Sequence, residues 1–190
     1  MYAINKDAIK LLTSRGIRLK SRTSLKKISI MNRKRCQRQL EIIGRGDHEE
    51  IMAYIAKNSL YGAAQVAFIQ RGDHEEIMSY ISQYSFDDGA AEKALIEHGD
   101  HDEILNYVSR YPLDEAAEKA LIQRGNHDEI MAYVTTNPLY DETAQVALIR
   151  RADHNEIMVY VTDYSLCRDA EKALYARGNQ TEIMVYKARH

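Results

Sequence analysis

Histidine is the residue in this sequence whose type and spacing could carry chemistry. One histidine recurs every 26 or 27 residues, and the series is His48, His74, His101, His127 and His154. Imidazole is a common metal ligand and titrates near neutral pH, so a regular column of histidines is a candidate metal site. However, packed helical layers hold equivalent side chains about 8–10 Å apart, whereas zinc holds its ligands at about 2 Å. We therefore predict no metal site. We expect each histidine to pack or hydrogen-bond beside its own helix start, with a shared polar surface stripe as the alternative.

A second column consists of tyrosines at the same spacing: Tyr54, Tyr80, Tyr107, Tyr133, Tyr160 and Tyr186. Each follows an isoleucine three residues earlier, which is typical of the buried face of a helix. An aromatic ladder that stacks nucleic-acid bases is the alternative, since single-strand binders use such platforms. The repeats around these tyrosines lack the basic residues of such binders, so we predict a core position.

The element that places both columns is a repeat that begins at Arg45, Arg71, His98, Arg124, Arg151 and Arg177. In the first copy, Gly46 suits the left-handed position that ends a helix, and Asp47 suits the N-cap of the next one. Glu50 follows three residues later, as in a capping box. The same Asp/Asn-x-x-Glu pattern occurs in all six copies, so we predict a helix start at each.

Each repeat predicts two short helices. The first has an Ile-Met-x-Tyr-Ile/Val pattern and about 10 residues. The second runs through Leu60, Ala64 and Phe68 in the first copy, and Pro112 and Pro138 fit the first turn of later copies. No long alternating run suggests a strand. The fold class is therefore all-α.

Helices this short are marginal alone in water, so each repeat must stack on its neighbours. We predict a right-handed-type α-solenoid of 26–27-residue helix–turn–helix repeats. Residues 1–44 are interpreted as basic, degenerate N-terminal capping repeats. The solenoid spans 45–190, with five full repeats (45–70, 71–97, 98–123, 124–150 and 151–176) and a C-terminal half repeat (177–190).

The repeated pattern Arg45–Gln70 resembles the short-repeat α-solenoids, the group that contains HEAT, armadillo and leucine-rich-repeat-variant proteins. The resemblance covers residues 45–190 well and 1–44 weakly, and it concerns the group rather than one family. It implies a curved scaffold whose concave or edge surface binds a macromolecule.

The charge distribution indicates two candidate surfaces. Residues 1–44 carry 12 Lys and Arg against 2 acids, although the whole chain has a net charge of −2. The candidate anion or nucleic-acid contacts are Lys20, Arg22, Lys26, Lys27, Arg33, Lys34, Arg35 and Arg38. Acids gather instead between the first and second helices of the repeats. The candidate acidic edge for a basic partner is Asp87, Asp88, Asp114, Glu115, Asp141, Glu142 and Asp169.

Other function classes find little support in the residues. We see no nucleophile elbow, phosphate-binding loop or HExxH motif, so we expect no catalytic residues and no cofactor. Cys36 and Cys167 have no metal-binding spacing, and no segment approaches 18 apolar residues. We expect a cytoplasmic protein that does not contact a membrane.

Two functions fit these observations. The first is a non-enzymatic scaffold for protein–protein interaction, with possible self-association through the ends of the array. The alternative is a nucleic-acid-binding repeat protein that uses the basic N-terminal region, driven by counterion release.

Overall fold

Helices make up the regular structure of the described part of this chain. The computed structural model describes residues 22–151 and 153–190, with side chains from residue 33 onwards, and this part of the chain contains twelve helices and no strand. Their bounds are α1 Arg22–Arg45, α2 His48–Ile55, α3 Ala63–Arg71, α4 His74–Ile81, α5 Gly89–His98, α6 His101–Val108, α7 Glu115–Arg124, α8 His127–Val134, α9 Glu142–Arg151, α10 His154–Asp163, α11 Arg168–Arg177 and α12 Gln180–Arg189.

The helices form two layers. The first helices of the repeats (α2, α4, α6, α8, α10 and α12) pack on one another in chain order, and the second helices (α3, α5, α7, α9 and α11) do the same. Helix α1 packs on α3 and so joins the second layer at its N-terminal end. The prediction of an all-α solenoid of helix–turn–helix repeats is confirmed. The hand of the superhelix and the repeat boundaries stay predictions, and residues 1–21 lie outside the described chain.

The predicted caps start all six first helices. Each cap carboxylate or amide accepts a backbone N–H from the first turn, and Asp100 and Asn126 form full capping boxes with Glu103 and Glu129. The glycine before the cap serves in two ways. Gly72 has φ of 72° and ends its helix in the left-handed conformation, as predicted. Gly99 has an extended backbone instead, and a Cβ there would lie 2.6 Å from the carbonyl oxygen of Leu95.

Two details of the predicted helices are wrong. Four of the first helices (α2, α4, α6 and α8) have 8 residues rather than about ten. Leu60 lies in the linker before α3, and Pro112 and Pro138 lie in the linkers before α7 and α9 rather than in their first turns. The linker has its own polar partners: the backbone N–H of Leu60 donates to the Tyr80 hydroxyl at 3.1 Å.

The tyrosine column lies in the core, as predicted. Tyr80, Tyr107, Tyr133 and Tyr160 are fully buried. Each hydroxyl accepts a hydrogen bond from a linker N–H of the preceding repeat, and the donors are Leu60, Phe86, Leu113 and Leu139, at 3.0–3.1 Å. Each of these tyrosines thus fills the core with its ring, and its hydroxyl satisfies a linker N–H that lies outside both helices of its repeat.

None of the helices in the described ranges combines the length and the apolar character that a membrane crossing needs.

Replacement of Tyr133 by Phe tests this contact. Its hydroxyl accepts the Leu113 N–H and donates to Glu118 Oε1 at 2.9 Å, so the substitution leaves two buried groups without a partner. We expect Tyr133→Phe to lower the free energy of unfolding by about 1–3 kcal/mol, measured by urea denaturation. Tyr140→Phe is the matched control, because that side chain is 67% exposed, and we expect no measurable change. Equal effects of the two substitutions would contradict the role of the buried hydroxyl.

Candidate functional site

A concave surface of the described chain forms a groove along the second-helix layer. It lies across α7, α9 and α11 and has a volume of about 940 Å³. Half-buried apolar side chains of Val146, Ala147 and Ala173 line it. The charged residues that line it are Lys119, Glu142, Arg150, Arg151, Asp169 and Lys172, four cations and two acids. The groove is therefore apolar within and cationic on balance.

The groove follows from the small residues of the second helices. Ala120, Ala147 and Ala173 occupy the same repeat position, one on each of the three helices. Val146 stands on the middle helix where Lys119 and Lys172 stand on the two outer ones. An apolar residue is thus flanked by two long cations. The sequence shows the alanine column, but residue spacing alone does not reveal the groove, because the shape of the groove depends on how the three helices pack on one another.

The predicted acidic edge lies at the starts of the second helices, where three of its seven carboxylates accept a backbone N–H of the first turn. Asp88 and Asp114 are N-caps of α5 and α7. Asp141, the residue before α9, accepts the N–H of Thr143 in the first turn of that helix. Although partial burial opposes it, bonds from Thr143 hold the pKa of the Asp141 carboxyl below its usual value. Burial raises the pKa of Asp87.

The remaining acids of this edge, Glu115, Glu142 and Asp169, are exposed in the first turns of α7, α9 and α11. Asp169 forms an ion pair with Lys172 at 2.8 Å, and this contact lowers the pKa of the Asp169 carboxyl. Glu142 and Asp169 also line the groove. A basic partner for the acidic edge stays a prediction.

The basic residues of the N-terminal region lie partly on α1. Arg33, Lys34, Arg35 and Arg38 are exposed near the C-terminal half of this helix. The Arg35 guanidinium lies over the Tyr61 ring, 4.5 Å from its centroid. Of the other predicted contacts, Arg22, Lys26 and Lys27 lie in α1 without described side chains, and Lys20 lies outside the described residues.

The histidine column joins consecutive repeats. The Nδ1 atom of each histidine lies 2.8–3.2 Å from a carboxylate oxygen of the next first helix, in the pairs His48–Glu76, His74–Glu103, His101–Glu129, His127–Glu156 and His154–Glu182. The glutamates are buried, whereas the histidines are about half exposed. The prediction of a purely local role beside the histidine's own cap is therefore wrong. Sequence spacing missed the contact because the partner lies 28 or 29 residues away.

At His48, His74 and His101 the neighbouring carboxylates favour the imidazolium form. Desolvation lowers the pKa of His48, but the hydrogen bond to Glu76 and the charge of Asp73 outweigh it, so the pKa is raised on balance. The same balance with Asp100 and Glu103 raises the pKa of His74.

A second set of buried carboxylates lies in the second-helix layer. Glu118 is fully buried, its Oε1 accepts the Tyr133 hydroxyl, and its Oε2 accepts the N–H groups of Tyr140 and Asp141 at 2.9 and 3.0 Å. Burial raises the pKa of Glu118, and it also raises the pKa of Glu92 at the equivalent position. A raised carboxyl pKa is a common mark of a catalytic acid. Here both carboxylate oxygens are engaged inside the array, which indicates a structural role.

Gln65 and Gln145 occupy this same position in other repeats and use the amide both to accept and to donate. Gln65 Oε1 accepts the Asp87 N–H, and its Nε2 donates to the Leu60 carbonyl and to the Tyr80 hydroxyl. Glutamate and glutamine therefore occupy one repeat position but differ in their hydrogen bond to the tyrosine. The Tyr107 hydroxyl donates to Glu92, whereas the Tyr80 hydroxyl accepts from Gln65.

Comparison of the chain with protein-family models, with curated proteins and with solved structures finds no match.

The Glu92→Gln substitution tests the cost of the buried charge. We expect the variant to fold and to gain about 1 kcal/mol in free energy of unfolding at neutral pH, because the introduced amide can also donate to a linker carbonyl, as the amide of Gln65 does. A raised carboxyl pKa means that the folded state binds the proton more tightly than the unfolded one. The gain should therefore shrink as the pH falls from neutral through the folded-state pKa of Glu92 toward the ordinary value of 4.5.

The reverse substitution, Gln65→Glu, is the matched control. It places a carboxylate in the same environment, so we expect a loss of stability at neutral pH that is recovered on acidification. Urea denaturation across this pH range measures both variants. A pH-independent difference from the parent chain would show that the carboxylate charge is not the cause.

Proposed function

We propose that this chain is a non-enzymatic scaffold whose groove across α7, α9 and α11 binds an acidic segment of a protein partner. The observation that carries the proposal is the groove itself, with half-buried Val146, Ala147 and Ala173 between exposed cations. With four cations against two acids, this apolar surface has a net positive lining and fits an amphipathic segment of net negative charge. The volume of about 940 Å³ is sufficient for several side chains of such a segment.

The placement of the groove supports the same function. Its residues project from three helices that stack directly on one another, so they are held by regular structure and little ordering is needed on binding. The groove also spans more than one repeat, and no single repeat could form it. A surface that exists only in the assembled array is the means by which repeat proteins present an extended binding face.

Charge reversal within the groove tests the proposal. Lys119 and Arg150 are exposed groove residues, and the double variant Lys119→Glu/Arg150→Glu turns the cationic lining acidic. Peptides selected for binding from a displayed library of helical segments should be acidic and amphipathic. By fluorescence anisotropy, we expect the double variant to bind them at least tenfold more weakly.

The matched control reverses the same two residue types outside the groove. Lys57 and Arg110 are exposed beyond the ends of α2 and α6, in the first-helix layer. Lys57→Glu/Arg110→Glu should retain the affinity of the parent chain. The proposal of a groove-specific partner would be contradicted if no acidic peptide were selected, or if both double variants weakened peptide binding equally.

Nucleic-acid binding is the second candidate, and the exposed cations of α1 are the observation that favours it. Arg33, Lys34 and Arg38 are exposed on this helix, at the N-terminal end of the second-helix layer. Each phosphate neutralised by such a residue would release a counterion, so affinity would fall steeply with added salt.

A salt titration with labelled single-stranded and duplex DNA and RNA tests this candidate. The chain is compared with a variant in which the eight basic candidates are changed to Gln: Lys20, Arg22, Lys26, Lys27, Arg33, Lys34, Arg35 and Arg38. Salt-dependent binding that the variant lacks is the expected result for a nucleic-acid binder. If the parent chain binds none of these probes at low salt, the candidate is excluded.

A further inference from the structure

Three of the histidine contacts between repeats bring together three potential metal ligands. The groups are His48–Asp73–Glu76, His74–Asp100–Glu103 and His127–Asp153–Glu156, and their ligand atoms all lie within 4.8 Å of one another. The Nδ1 atom lies 3.5, 2.6 and 3.4 Å from the aspartate Oδ2, and 3.1, 3.1 and 3.2 Å from the glutamate Oε1. In each case the histidine comes from one repeat and both carboxylates come from the next.

These spacings can be compared with those of a tetrahedral metal site. Zinc binds histidine nitrogen and carboxylate oxygen at about 2.0–2.2 Å, which places neighbouring ligand atoms roughly 3.3–3.6 Å apart. The Nδ1–Oδ2 distances of 3.5 and 3.4 Å lie within this range, whereas the Nδ1–Oδ2 distance of 2.6 Å at His74 and the Nδ1–Oε1 distances of 3.1–3.2 Å must lengthen on binding. Three protein ligands leave one position for water or another ligand.

The ligand atoms are positioned by other contacts. Each aspartate uses Oδ1 to cap its helix, as in the 3.0 Å bond from the Glu76 N–H to Asp73, so that Oδ2 is left for the cluster. The glutamates are at least nine-tenths buried. Arg71 Nε lies 3.1 Å from the Oε2 of Glu76 and fixes the plane of the carboxylate while Oε1 faces the histidine. Such outer contacts are what orient ligands in metal sites.

In the third cluster, Oε1 of the buried Glu156 carboxylate faces His127, and Oε2 faces Arg151. Glu156 is 1% exposed, and its Oε2 has no hydrogen-bond partner in the described part of the chain. Arg151 Nε lies 3.5 Å away, within reach of an ion pair but too far for a good hydrogen bond. A cation bound at Oε1 would therefore leave the ion pair between Oε2 and Arg151 in place.

The chain provides its own comparison at the two other contacts, where the cap is Asn126 or Asn179. Asn126 Nδ2 lies 2.8 Å from His101 Nδ1 and donates to Glu129 Oε1 at 3.2 Å, so the amide places a donor where Asp would place a second negative oxygen. Asn179 does the same between His154 and Glu182. The Asp-capped clusters, with two carboxylates and one imidazole nitrogen, lack this donor and carry more negative charge.

We propose that the three Asp-capped clusters each bind a first-row divalent cation, with Zn²⁺ as the test ion, between a histidine of one repeat and two carboxylates of the next, and that the ion displaces to solvent the proton that Nδ1 shares with the carboxylates. Binding at these points joins neighbouring first helices, so the ion stabilises the array and resists separation of the repeats. The proposal is independent of the groove and of its partner.

The test is zinc stoichiometry of the full chain, measured by equilibrium dialysis with metal analysis. We expect three ions per chain and a rise in melting temperature with added Zn²⁺, because an ion that binds the folded state stabilises it by mass action. Co²⁺ in place of Zn²⁺ should give the intense visible absorption of tetrahedral coordination.

The Asp/Asn alternation supplies variants that keep the fold. In the variant Asp73→Asn/Asp100→Asn/Asp153→Asn, each of the three caps becomes an asparagine, as at Asn126. We therefore expect a folded chain with at least tenfold weaker Zn²⁺ binding and no thermal shift. The gain variant Asn126→Asp/Asn179→Asp should raise the stoichiometry from three to five. The loss variant retains both cysteines and all histidines, which controls for zinc held elsewhere.

Two results would overturn the proposal: a parent chain that binds no Zn²⁺ at micromolar concentration, or a triple Asp→Asn variant that binds as much zinc as the parent.

Discussion

The structure depends on the contact between one repeat and the next. Helices of eight to ten residues gain too little from their own hydrogen bonds to persist alone, so the stability of each must come from its neighbours. The buried tyrosine is the centre of this contact. It fills the core of the first-helix layer with its ring and meets a backbone N–H of the preceding linker with its hydroxyl. A repeat is therefore incomplete both in apolar surface and in hydrogen bonds until the next one is in place.

This dependence determines where polar groups can be buried. The linkers between first and second helices lie outside regular structure, yet residues such as Leu113 and Leu139 are buried there. Their backbone groups need partners, and the tyrosine hydroxyls together with the Glu/Gln column provide them. The tyrosine hydroxyls and the Glu/Gln column thus bond to linker backbone one repeat away. Surface positions of the second helices do not supply hydrogen bonds to a linker, so their charge can vary and a groove can form there.

The sequence predicted the features that depend on local chemistry. The cap at Asp100, the buried Tyr107 and the two-helix unit all follow from residue types at fixed spacing, and the structure confirms each. The features it missed are those that join residues one repeat apart. The apolar character of Leu60 predicts a helical position, but its N–H is held by Tyr80, so the helix begins three residues later. The partner of His74 is Glu103, and a pattern read along one helix does not reveal a contact made between two.

Two columns of the array alternate between a charged side chain and its neutral amide, and this alternation separates what the fold requires from what it merely allows. Glu92 and Gln65 both accept a linker N–H, and Asp100 and Asn126 both cap a helix. The backbone thus requires only an oxygen acceptor at each position. In the second-helix column the charge is sealed in the core, where burial raises the pKa of Glu92. In the cap column it lies half exposed beside a histidine, within reach of ions from solvent. The same substitution is therefore a matter of stability in one layer and of ligand chemistry in the other.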